Sequence, residues 1–167
     1  LEEKKRDFCL GYNHLDLSDT NIKNIAVHYL KNDISYDDKK MFELSDKLVS
    51  ELKECDVIII SVSIYNFGPP ATLKAWADLA ARVKLTFKYG DDGRRKGLLE
   101  DKQVYLVITS GGTKIQGEED FLTPWLIHML NFFGIKKIDI VAADQMALDY
   151  EKSIKNAEEK IKELFKD

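Results

Sequence analysis

The chain has 167 residues, 44% of them hydrophobic and 32% charged, and a formal net charge of −4. That length supports one domain with a substantial core, and the composition is that of an ordinary globular protein. The charge gives no whole-chain reason to expect nucleic-acid binding. Two cysteines, Cys9 and Cys55, cannot build an extensive disulfide framework, and a reducing, cytoplasmic setting is expected. No apolar run reaches the roughly 18 residues of a membrane span, and no signal peptide is visible.

Read in order, the chain opens on Leu1–Asp7, which has the character of the last turns of a helix. A short strand is expected around Asn13–Leu17, ended by Ser18-Asp19-Thr20-Asn21. Residues Asn21–Leu30 fit either a short helix or an excursion. Asp37 or Asp38 can cap a helix running to about Lys53. Its Met41, Leu44, Leu48 and Leu52, with Phe42, Ser45 and Val49, recur at helical spacing and read as core. Cys55 directly precedes an apolar run and reads as a buried thiol.

Asp56–Val62 is β-branched without alternation, the pattern of a central strand buried on both faces. Pro69-Pro70 preset a helix entry, and the helix should continue to about Lys84 with Leu73, Trp76, Ala77, Ala80 and Ala81 packed. The Gly- and Asp-rich stretch Phe87–Gly97 reads as a loop. Gln103–Thr109 is a second central strand, followed at once by Ser110-Gly111-Gly112-Thr113. A helix is expected from Glu118 to Phe133, with Glu118, Glu119 and Asp120 at its positive end, Pro124 where a missing N–H costs least, and Gly134 as its stop. A strand over Lys137–Ala142 and an amphipathic helix over Asp149–Phe165 complete the chain. The alternation predicts a single α/β domain over residues 1–167, a doubly wound parallel sheet with helices on both faces.

In such sheets ligands bind at the carboxyl ends of the strands. Two loops follow adjacent central strands here: Ile64-Tyr65-Asn66-Phe67 and Ser110-Gly111-Gly112-Thr113. Two aromatic rings and an amide suit a flat, hydrogen-bonding heterocycle. Glycines let a ligand approach the backbone, whose N–H groups can then bond it. Each loop alone is equally a plain turn or core filler; the pair after neighbouring strands carries more weight. Other chemistries find no support. His14, His28 and His128 lack metal-ligand spacing, so no metal is expected. There is no Gly-x-Ser-x-Gly elbow, no Walker-type loop and no Gly-x-Gly-x-x-Gly after a strand. Asp91-Asp92 and Glu118-Glu119-Asp120 are explained by solvation and capping.

The stretch Tyr65-Asn66-Phe67, Ala71–Asp78 and Ala81-Arg82 resembles the FMN-dependent NADH-azoreductases, also called FMN-dependent NADH:quinone oxidoreductases. Thr86–Tyr89, Gly97–Leu99, Ile108–Gly112, Leu122–Leu126 and Phe132–Ile135 extend the resemblance along most of the chain. It implies a flavodoxin-like fold and a homodimer holding FMN near the subunit interface, with NADH (or NADPH) as donor and a small quinone or azo compound as acceptor. It further implies that Ile64, Tyr65, Asn66 and Phe67 wrap the isoalloxazine, that Ser110, Gly111, Gly112 and Thr113 hydrogen-bond its polar edge, and that Tyr89 and Phe132 line the substrate side. No catalytic side chain is expected, because the cofactor carries the hydride chemistry.

The family begins with a strand and a Ser-rich phosphate loop ahead of its first helix, and no counterpart precedes Leu1 here. Either those elements lie upstream of Leu1, or this is a truncated or rearranged relative with a different strand there. Ser63-Ile64 stands where the family usually has Pro-Met, and the second loop is one residue shorter, without the Arg that many relatives carry. Three function classes follow: an FMN-dependent NAD(P)H oxidoreductase, a flavodoxin-type electron carrier, and a flavin-free binding relative.

Overall fold

The computed structural model describes residues 8–9 and 36–166. The strand expected around Asn13–Leu17, the segment Asn21–Leu30, His14 and His28 lie outside the described residues. The described elements are β1 (Phe8–Cys9), α1 (Tyr36–Glu54), β2 (Val57–Ser63), α2 (Ala71–Ala80), β3 (Phe87–Tyr89), β4 (Arg95–Gly97), β5 (Gln103–Thr109), α3 (Leu122–Phe133), β6 (Lys137–Ala143) and α4 (Tyr150–Leu164). Four strands form a parallel sheet in the order β1-β2-β5-β6, and β3 and β4 form a separate antiparallel pair. This is the α/β arrangement around a parallel sheet that the alternation predicted, and it agrees with the flavodoxin-like fold the resemblance implied.

Register explains the layers. Ile58 pairs with Val104, Ile60 with Leu106 and Val62 with Ile108, so these side chains share one face. That face carries the main core, where Val104, Leu106 and Ile108 meet Leu122, Leu126, Leu130 and Phe133 of α3 and Ala80 of α2. Trp76 of α2 meets Phe133 edge-on at 6.3 Å. α1 lies on α2 through its predicted stripe: Leu48 packs with Leu79, and the Ser45 hydroxyl donates to the Leu79 carbonyl at 2.6 Å. Cys55 is buried at the end of α1, as expected.

The opposite face corrects one expectation. β2 was predicted to be buried on both faces, yet Ile59 is 38% exposed and Ser61 is exposed. Ile59 pairs with Tyr105 and Ser61 with Val107. On this face α4 packs over Val107, Val141 and Ala143, and Phe165 just beyond it meets Tyr105 at 5.2 Å. The described helix thus covers β5 and β6 and leaves the β2 positions outside its footprint.

Three boundaries also differ. The second helix ends at Ala80 rather than near Lys84, because the Thr86 hydroxyl donates to the Ala80 carbonyl at 2.7 Å and accepts the Arg82 N–H at 2.9 Å. Arg82 then turns inward, donating to Ser45 at 2.7 Å and to Asp46 at 2.9 Å. The helix expected from Glu118 begins at Leu122. The stretch Phe87–Gly97, expected as a loop, is the β3–β4 hairpin. Local glycines suggested a loop, whereas tertiary contacts hold strands. The Leu98 N–H donates to Thr86 and the Leu99 N–H to Phe133, while Phe87 stacks on Phe132 at 4.4 Å.

The hairpin can dock only because Gly97 has no side chain. A Cβ there would sit 2.1 Å from the Gly134 nitrogen, a backbone atom. Gly134 itself closes α3 in the left-handed conformation, φ 104°. Gly97→Ala should therefore separate hairpin and helix and destabilise the protein by about 1–3 kcal/mol, the usual range for overpacking. A thermal midpoint equal to the parent's would contradict this docking.

Candidate functional site

The carboxyl ends of β2 and β5 lie side by side. The last pair is Ser63 with Thr109, whose hydroxyls hydrogen-bond at 2.6 Å, and the Ile64 N–H continues the ladder to the Thr109 carbonyl at 2.9 Å. The two loops singled out from the sequence leave from this point, so the fold brings residues 64–67 and 110–113 to one edge.

The first loop is a tight turn. Tyr65 and Gly68 exchange backbone hydrogen bonds, each 3.1 Å, around Asn66 and Phe67. Both central residues have positive φ, 47° and 70°, the signature of a type I′ turn. Asn tolerates that region; a bulky Phe rarely enters it. The conformation is held from outside, since the Phe121 N–H donates to the Phe67 carbonyl at 2.9 Å. The aromatic rings gain little from the fold: Tyr65 is 63% and Phe67 50% exposed. Strain and exposed rings together mark a functional position better than a structural one.

The second loop is stapled through Ser110, which is buried. Its hydroxyl donates to the Thr113 carbonyl and accepts the Gln145 N–H at 3.1 Å, and its carbonyl accepts the Met146 N–H. Ser110 therefore shapes the loop, and its hydroxyl is engaged within the fold. Gly111 and Gly112 are exposed, and a Cβ on either would meet nothing within 4 Å; the same holds for Gly68. None of the three has positive φ. Neither backbone geometry nor internal packing demands glycine at these places. The space they border is open to solvent.

A third element was not singled out from the sequence. Asp120 was expected to cap α3, and it does so while buried rather than solvated. Its carboxylate accepts N–H groups from Gln116 (2.8 Å), Leu122 (3.0 Å) and Thr123 (2.9 Å). It thereby fixes the loop that carries Phe121, a residue 62% exposed whose backbone N–H reaches the Tyr65–Gly68 turn. The legible signal was an Asp two and three residues ahead of a helical run; the contact with Phe67 had none.

Tyr89 and Phe132 lie elsewhere. Both contact Phe87, at 5.8 and 4.4 Å. Phe132 stands eleven positions along α3 from Phe121, which is roughly 16 Å at 1.5 Å per residue. Within one chain they do not join the strand-end loops. His128 is exposed, and among the described residues no group of His, Cys, Asp and Glu could hold a metal ion. No described helix is long and apolar enough to cross a membrane.

A parallel sheet flanked by helices, with aromatic and glycine loops at its carboxyl edge, defines an open α/β protein of the class in which ligands sit at that edge. Residues 4–165 match the family described as having a flavodoxin-like fold, and the chain belongs to it. Within that group it is 71% identical over 127 residues to an FMN-dependent NADH:quinone oxidoreductase of Pelagibacter ubique (strain HTCC1062), an alignment covering 76% of this chain and 66% of the relative. It is 40% identical over 144 residues to the protein of the same name from Erythrobacter litoralis (strain HTCC2594), covering 75% and 73%. Among solved structures it superimposes with TM-score 0.72 on an FMN-dependent NADH-azoreductase from Bacillus anthracis in complex with FMN, at 26% identity, covering 79% of this chain and 65% of that one. The chain spans about two thirds of the length of these relatives.

Two expectations follow from the geometry. Phe67→Gly relieves a left-handed position that costs a non-glycine residue about 1–2 kcal/mol and removes a ring the fold half exposes. Differential scanning calorimetry should show an equal or higher midpoint, whereas a clear drop would mean that the turn is not strained. Asp120→Ala strips the acceptor from three N–H groups and should lower stability by about 1.5–3 kcal/mol in urea denaturation; loss below 0.5 kcal/mol would contradict its role as anchor.

Proposed function

We propose that this chain acts as an FMN-dependent reductase that takes hydride from NADH, or NADPH, and reduces quinones and azo compounds. The observation that carries the reading is the pairing of a strained aromatic turn with two exposed glycines across one sheet edge, in a chain 71% identical to a relative of that name. The residues fit the group. Tyr65 and Phe67 offer exposed ring faces, Asn66 is exposed and carries an amide for a polar ring edge, and Gly68, Gly111 and Gly112 leave the space a planar ring needs. When bound, FMN supplies two-electron chemistry.

The chain's own residues then bind, orient and exclude. Ile64 and the turn would seat the ring system. The backbone N–H groups of Gly111, Gly112 and Thr113 would polarise its heteroatom edge, with Ser110 holding the loop in shape. No side chain is assigned an acid or base role. The reaction balances without one: NADH loses a hydride to become NAD⁺, and the quinone gains two electrons and two protons, one from solvent, to become the hydroquinone.

We also propose a homodimer. The support is the placement of Tyr89 and Phe132 far from Phe121 in one chain; a second copy could bring that aromatic cluster to the acceptor side. A cytoplasmic location fits the buried Cys55 thiol and the two-cysteine composition.

The test is an FMN titration followed by NADH oxidation with a quinone. No flavin binding and no turnover would sink the reading. Asn66→Gly keeps the left-handed backbone at no steric cost and removes only the amide. FMN should then bind more weakly by roughly 1–3 kcal/mol if the amide is desolvated in the complex; an unchanged dissociation constant would remove Asn66 from the site.

A further inference from the structure

We infer that Phe121 is a specificity-determining residue, the outer wall against which a flat aromatic acceptor lies. The inference rests on the reductase reading above.

Single exposed apolar residues are ordinary and need no explanation. Phe121 differs in three respects. First, it sits between two fixed neighbours. Asp120 is 3% exposed and holds three N–H groups, and Leu122 is fully buried, yet the ring between them is 62% exposed. A loop fastened by these hydrogen bonds holds a large apolar residue in solvent. Second, its N–H donates to the Phe67 carbonyl at 2.9 Å, so the two rings start from adjacent backbone. With Tyr65 in the same turn, three exposed aromatic residues are anchored through their backbone at one edge of the sheet. Third, the space beside them is open, since a Cβ at Gly68, Gly111 or Gly112 would meet nothing within 4 Å.

The division of labour follows from position. Tyr65, Asn66 and Phe67 lie at the strand end with the glycine loop and take the cofactor ring. Phe121 comes from the start of α3, outside the two strand-end loops in sequence and joined to the turn through its backbone, and is assigned to what stacks on that ring. Offset or edge-on contact with a second aromatic system suits an acceptor that is itself flat and apolar. An acceptor with no ring gains nothing from it. Asp120 acts through Phe121 as a positioning residue.

The test compares Phe121→Ala with the parent chain, both loaded with FMN. Three readouts are taken: KM and kcat for 1,4-naphthoquinone, the rate with ferricyanide, and the dissociation constant of anthraquinone-2-sulfonate from the oxidised protein without NADH, read from flavin absorbance. The expected result is a roughly three- to tenfold rise in the naphthoquinone KM and in the anthraquinone dissociation constant, the range one aromatic contact supports. The ferricyanide rate, the FMN dissociation constant and the thermal midpoint should stay at parental values. Unchanged naphthoquinone and anthraquinone constants would overturn the inference. So would weakened FMN binding, which would place Phe121 in the cofactor seat, or a shift to monomer in sedimentation, which would place it in a subunit interface. Should the parent protein neither bind FMN nor oxidise NADH, the reductase reading itself falls, a result visible before the variant is compared.

Discussion

Two parallel strands in fixed register set where everything else can go. β2 and β5 pair from Val57–Gln103 to Ser63–Thr109, and the ladder runs one bond further through Ile64. Because parallel strands end on the same side, their following loops must emerge together. The Tyr65–Gly68 turn and the Ser110–Thr113 loop are neighbours for that reason alone. The even-numbered side chains of both strands form the core with α3, so a slip of one residue would turn that apolar set outward and separate the loops. The apolar burial that stabilises the fold is also what aligns the site.

Around that edge, close packing gives way to exposed and strained residues. The core beneath is closely filled: Leu106, Ile108, Leu122, Leu126 and Phe133 are fully buried. Above it, the turn holds a Phe at φ 70°, and three aromatic rings stay in solvent. Strain of this kind persists only where surrounding structure over-determines it. Here the Phe121 N–H and the buried Asp120 carboxylate do so. The site is therefore fastened at its rim by α3 and at its base by the sheet.

Much of this was legible in the residues. Continuous β-branched runs located β2 and β5, Gly134 marked the end of α3, and Leu44, Leu48 and Leu52 of the α1 stripe pack as their spacing predicted. The two strand-end loops were recognisable because an aromatic-amide run and a Gly-Gly pair each followed a central strand. Less visible were features decided by distant partners. The hairpin at Phe87–Gly97 reads as a loop because its glycines and aspartates outweigh its short strands, and contacts with Thr86, Phe132 and Phe133 hold it extended. Helix α2 stops at Ala80 because a threonine six positions on takes its carbonyl.

By itself the sequence determined the alternation of strands and helices, the core stripes and the chemistry offered at two loops, since these depend on residue type and near-neighbour spacing. Tertiary structure alone decided that Ser110 is an internal staple, that α4 leaves part of β2 exposed, that Tyr89 and Phe132 stand apart from the turn, and that Phe121 joins it. Each of those depends on which backbone groups meet across long stretches of chain, and no local pattern encodes such a meeting. The Phe121 to Phe67 hydrogen bond spans 54 positions, and it exists only because β2, β5 and α3 pack in one order.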